Sequence, residues 1–159
     1  MNQLSATTKG IIIALLLIVT SLLSYYVFDL PDNGNSQYLL LSLFIVGVIW
    51  VIISTKNSAI TFTDYFTEGF KAFIVVALLM TVYTFVFQKL NPQILENGIK
   101  ENNELILKQG NKTLAEIKEN AEKLRNIFMP MMLMITALKF LFLGCMISAI
   151  MGGIYSQKK

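Results

Sequence analysis

The chain of 159 residues is 55% hydrophobic and 14% charged, with a net charge of +3, no histidine and a single cysteine. A water-soluble domain of this length seldom has that composition, and the basic residues are scattered rather than striped among aromatics, so the charge excess is a topology signal and not a nucleic-acid footprint. The missing histidine excludes Ser-His-Asp and Cys-His catalysis, HExxH zinc sites and His-ligated haem, and the lone Cys145 excludes an intrachain disulfide and a multi-cysteine metal centre.

Met1 to Lys9 forms a short polar leader, followed by residues 10–28 without a charge, long enough to cross a hydrocarbon core of about 30 Å. This run is too long for a typical cleavable signal, and Ser24-Tyr25-Tyr26-Val27-Phe28 is aromatic where a cleavage site needs small residues, so it reads as a retained first span. A turn with Asp29, Pro31, Asp32 and Gly34 leads to a second span at 38–54, which carries Trp50 near its far end as an interfacial anchor and is closed by Lys56.

The third span, 64–88, opens on alternating aromatics and charges. A helix starting near Thr61 or Thr63, capped by a hydroxyl or by Asp64, would slide through the interface and turn inward after Lys71, with Glu68 and Lys71 three apart on one face. Here Ile60-Thr61-Phe62-Thr63-Asp64-Tyr65-Phe66-Thr67-Glu68-Gly69-Phe70 resembles a bacterial domain-of-unknown-function family, number 4199, of small membrane proteins. The resemblance extends in layout over nearly the whole chain, to a last span ending in Lys158-Lys159, and departs from the family's usual Glu at Asp64. It implies a bacterial inner-membrane protein without an assigned activity, and supplies no catalytic residues. Within the block the candidate interfacial motif is Phe62, Asp64, Phe66, Glu68, Gly69 and Phe70.

Residues 91–128 are the long polar interruption, and they read as a helical hairpin outside the membrane. Pro92 suits a first helical turn, Gly110 and Asn111 suit a stop, and Thr113-Leu114-Ala115-Glu116 has the spacing of a capping box. Leu95, Ile99, Asn102 and Ile106 on the first helix face Leu114, Ile117, Ala121 and Leu124 on the second, with Phe128 continuing the row. Folding back about Asn111 would set Asn102 near Ala121, as a register-fixing polar residue. The seam is too narrow for a helix lying flat on lipid, and no aromatic anchor falls between Asn91 and Ile127. Asn111-Lys112-Thr113 also matches a glycosylation acceptor, although turn and cap already account for it.

The fourth span, 129–155, carries Gly144, Ser148 and Gly152 at steps of four, a small-residue stripe for close helix packing inside the chain or in a homodimer. Lys139 lies near its middle, where a lysine costs roughly 2.5–3.5 kcal/mol. It is expected to pair with Glu68, Asp64 or Asp29, to be neutral, to snorkel, or to line a polar path with Thr81, Thr84 and Thr136. Cys145 reads as a buried small residue.

Lys9, Lys56, Lys71, Lys158 and Lys159 favour cytoplasmic termini, whereas Lys89, Lys100, Lys108, Lys112, Lys118, Lys123 and Arg125 in and beside the hairpin argue the opposite; the short loops and first span are given more weight. The expectation is an all-α integral membrane protein with four transmembrane helices and an extramembrane helical hairpin between the third and fourth. It has no catalytic, cofactor-binding or metal-binding residues. It serves as a non-enzymatic accessory or assembly subunit that meets a protein partner through the hairpin or a second copy through the fourth span; the alternative is a small transporter or ion-conducting subunit centred on Lys139.

Overall fold

The computed structural model describes residues 4–27, 35–55, 61–110 and 113–157. These form five helices and, among the described residues, no strand: α1 (Ala6–Tyr26), α2 (Asn35–Ser54), α3 (Phe62–Leu90), α4 (Gln93–Gln109) and α5 (Leu114–Ser156). Phe28, Asp29, Pro31, Asp32, Gly34, Lys56, Ile60, Asn111, Lys112, Lys158 and Lys159, on which parts of the sequence reading fall, lie outside the described residues.

Three of the helices, α1, α3 and α5, begin where a side chain supplies a partner for an orphan amide, whereas α4 starts after Pro92 without a side-chain cap. The Ser5 hydroxyl accepts from the Thr8 amide at 3.1 Å and caps α1. At the head of α3, Asp64 Oδ2 accepts from both the amide and the hydroxyl of Thr61, at 2.9 and 2.8 Å, while the Asp64 amide donates to Thr61 Oγ1 at 3.3 Å. Thr113 and Glu116 repeat the arrangement before α5, with 2.7, 2.9 and 3.3 Å for the same three bonds. These are reciprocal capping boxes. Gly110, in the left-handed region at φ 68°, ends α4, where its amide donates to the Leu107 carbonyl. Between α3 and α4, Asn91 is buried: its Nδ2 donates to the Phe87 carbonyl, and its Oδ1 accepts from Gln93 Nε2. The following Pro92 disfavours helical geometry at Asn91, which is where α3 stops.

Four helices, α1, α2, α3 and α5, are long and apolar enough to cross a membrane. Only between 22% and 33% of their apolar windows is buried inside the molecule, so most of that surface, including Leu15, Val46, Leu78 and Phe142, needs a non-aqueous surrounding. At 1.5 Å per residue α3 spans about 44 Å, more than the hydrocarbon core, and its polar beginning overhangs. The last span does not start afresh after the polar segment. It is the second half of α5, a single helix of 43 residues that carries Pro130 in its interior.

The chain divides into two compact units. The first, Met1–Met80 with Thr136–Lys159, holds α1, α2, most of α3 and the last part of α5. Its core is Ala14 and Leu17 of α1, Phe44, Val48, Val51 and Ile52 of α2, Tyr65, Ala72, Phe73 and Val76 of α3, and Phe140 and Ser148 of α5. Neighbouring helices approach at small residues. A Cβ at Gly10 of α1 would sit 2.6 Å from the Ala72 carbonyl oxygen, and one at Gly47 of α2 would sit 2.9 Å from Ile13. Phe44 meets Phe140 edge-on at 5.0 Å. The second unit, Thr81–Ile135, holds the end of α3, α4 and the first part of α5.

Candidate functional site

The interfacial block is ordered by its own helix. Phe62, Phe66 and Phe70 stack in succession at 5.9 and 6.3 Å along one face of α3, and Phe70 meets Phe73 edge-on at 5.2 Å. Glu68 and Lys71 pair at 2.7 Å. Asp64 serves the cap, and Tyr65, 1% exposed, lies 5.8 Å from Tyr155 of α5. Gly69 is the point of closest approach: a Cβ there would overlap the Ser148 hydroxyl.

The small-residue stripe of α5 lies against α3 along this block. A side chain on Gly144 would strike Phe73, Ser148 faces Gly69, and Gly152 faces Phe62. Gly153 meets open space. The geometry corrects one expectation: Cys145 is exposed, because Gly144 and Ser148 take the inward side of the helix and leave Cys145 beside them on the outer one.

In the second unit Ile99, Ile117 and Ala121 are buried, whereas Leu95, Asn102, Ile106 and Leu124 are half-buried; the side chain of Leu114 lies outside the described residues. Arg125 donates two hydrogen bonds to the Glu96 carboxylate, at 2.9 and 2.6 Å, across 29 residues with Gly110 midway. Those bonds, aided by the guanidinium charge, hold the Glu96 carboxyl below its ordinary range. Lys123 and Glu119 pair at 2.7 Å. Beside Asn102, the carboxamide oxygen of Asn103 is buried without a hydrogen bond among the described residues.

Lys139 is half-buried, with its ammonium 5.2 Å from the ring centroid of Phe140. Among the described residues it makes no ion pair: Glu68 is taken by Lys71, and Asp64 by Thr61. Thr136 is buried in the same unit, while Thr81 and Thr84 belong to the other.

Lys9 was not distinguished by sequence, where it closes a polar leader. In the structure it is inside α1, 5% exposed, with its ammonium donating to Ser54 Oγ of α2 and lying 5.7 Å from the Trp50 ring centroid. The Ser5 cap was the available signal, since a helix beginning at Ala6 carries Lys9 within its first turn or so. Among the described residues no group of three His, Cys, Asp or Glu side chains is placed to hold a metal.

The four long apolar helices among the described residues mark a multi-pass membrane protein. The chain belongs to the family described as Protein of unknown function (DUF4199), whose model matches residues 8–157. No curated protein and no solved structure matches it significantly.

Proposed function

We propose that the protein is a non-enzymatic accessory or assembly subunit of the bacterial inner membrane, meeting a protein partner through α4 and the first part of α5, which stand outside the bilayer as a helical hairpin. The observation that carries this is the pair Leu105 and Leu107, 59% and 50% exposed on a helix that buries Ile99 and half-buries Leu95 and Ile106 on its other side. Large apolar side chains left open beside a satisfied seam suit a protein contact. The stripe of Gly144, Ser148 and Gly152 is occupied by α3, which favours the hairpin over the fourth span as the route to a partner. Lys9 near the start of α1 and Lys71 in the first part of α3 support cytoplasmic termini by the positive-inside rule, and the family resemblance supports the bacterial inner membrane.

The test is a crosslinked affinity pull-down from native membranes with wild type and a Leu105→Glu, Leu107→Glu double variant. A specific partner lost in the double variant supports the proposal; identical recovery from both, or recovery of the protein alone, ends it. A second reading, a small transporter or ion-conducting subunit, rests on Lys139, an intramembrane cation with no carboxylate partner among the described residues.

A further inference from the structure

Lys9 is a buried cation served by too few acceptors. An ammonium offers three donors, and among the described residues only Ser54 Oγ accepts from it. No described carboxylate reaches it: Asp64 bonds Thr61, and Glu68 bonds Lys71. The indole N–H of Trp50, whose ring faces the ammonium and is 43% exposed, has no acceptor among the described residues either. A charge withdrawn from water with unmet donors is costly unless an anion completes its shell.

What lies beside this cluster indicates which anion. Lys9, Ile12 and Leu16 follow at helical spacing on one face of α1, and Leu43, Val46, Gly47, Trp50 and Ser54 on one face of α2. Between them runs an open groove of about 180 Å³ with an almost wholly apolar lining that includes Trp50, and the Lys9 ammonium, beyond that lining, is 5.7 Å from the Trp50 ring centroid. Gly47 lets the Ile13 side chain of α1 pack against the α2 backbone in the wall of the groove. In a span, such a groove is bathed in acyl chains, and a cation with an interfacial tryptophan at its end is the arrangement that holds a lipid headgroup.

We propose that the α1–α2 face is a binding site for one anionic glycerophospholipid, with its phosphate on the Lys9 ammonium and Trp50 indole N–H and one acyl chain in the groove. The site lies wholly in the first unit and does not depend on the accessory-subunit reading.

Trp50 is the only tryptophan, so its fluorescence reports this site. The full chain is reconstituted in phosphatidylcholine vesicles, and quenching is measured with brominated phosphatidylglycerol and with brominated phosphatidylcholine of the same chains. One interfacial lysine corresponds to a preference of about fivefold for the anionic lipid. Lys9→Gln removes the preference and Lys9→Arg keeps it. Val46→Phe fills the groove from a position 63% exposed, outside the core, and weakens binding of the anionic lipid with the cation intact. Equal quenching by the two lipids, a preference that survives in folded Lys9→Gln, or unchanged binding in Val46→Phe overturns the proposal. Abolition of the preference by millimolar inorganic phosphate also overturns it, because the site would then be for a free anion. Circular dichroism establishes that each variant is folded, and Val46→Phe decides the matter if Lys9→Gln is not.

Discussion

Ser148 of α5 lies so close to Gly69 of α3 that a single methyl group on the glycine would overlap its hydroxyl, and that hydroxyl is fully buried with no hydrogen-bond partner among the described residues. The contact is therefore one of size and not of polarity. Gly69→Ala is expected to destabilise the bundle by about 1–3 kcal/mol through overpacking. Ser148→Ala is expected to be neutral or slightly stabilising, since it removes an unpaired buried hydroxyl. Combining Gly69→Ala with Ser148→Gly should recover most of the loss. Unfolding in mixed detergent micelles measures all three, and a Ser148→Ala variant as damaged as Gly69→Ala would show that the hydroxyl has a partner.

Sequence pattern pointed to this stripe because small residues at a fixed step need no knowledge of the partner, and to the Thr113–Glu116 box because a capping box is local, while at α3 it left Thr61 and Thr63 open as starts. What it missed depends on which helices are neighbours. Gly10 against Ala72, Gly47 against Ile13 and Lys9 against Ser54 are pairings between spans, and nothing in one apolar run says which other run it will meet. Cys145 was misjudged for the same reason: an apolar span has no polar side to mark its outward face, so burial there follows only from packing. Asn102 and Asn103 are both half-buried, and the side-chain pattern of a short helix does not say which of two adjacent residues will bury its carboxamide oxygen.

The two capping boxes allow an internal comparison. Thr113→Ala removes the acceptor for the Glu116 amide and a donor to its carboxylate, and should cost about 1 kcal/mol, read as faster amide exchange over the first turn of α5. Thr61→Ala should have the same effect at the head of α3, where Asp64 replaces the glutamate. Exchange unchanged in both variants would mean that the boxes are not formed in solution.

The Glu96–Arg125 pair predicts a pH dependence of known sign. Its hydrogen bonds lower the folded-state pKa of Glu96, so the contribution is fully present above the ordinary glutamate value of about 4.3 and is lost as pH falls through the lower folded value. Both side chains are exposed, so the effect is small and screened by salt. Glu96→Gln should speed amide exchange in α4 at neutral pH and low salt. The difference from wild type should shrink at high salt and in acid below the folded pKa. A difference that persists under acid would assign it to packing and not to the ion pair.

Lys139→Met separates the two functional readings. With no carboxylate partner among the described residues, Lys139 has only the Phe140 ring beside its ammonium, and a lysine deep in a span is otherwise costly by about 2.5–3.5 kcal/mol. If that cost is borne without a functional return, replacement by an unbranched apolar side chain of similar length should leave the protein folded, raise its resistance to unfolding, and leave partner capture through α4 intact. Reconstituted vesicles should then show no ion flux with either form. If wild-type vesicles instead pass ions and Lys139→Met vesicles do not, while both proteins give the same helical signal, the cation belongs to a conduction path and the accessory-subunit reading gives way to transport. A variant that fails to fold would point to a partner for Lys139 outside the described residues, with Asp29 the first carboxylate to test by the reciprocal Asp29→Asn substitution.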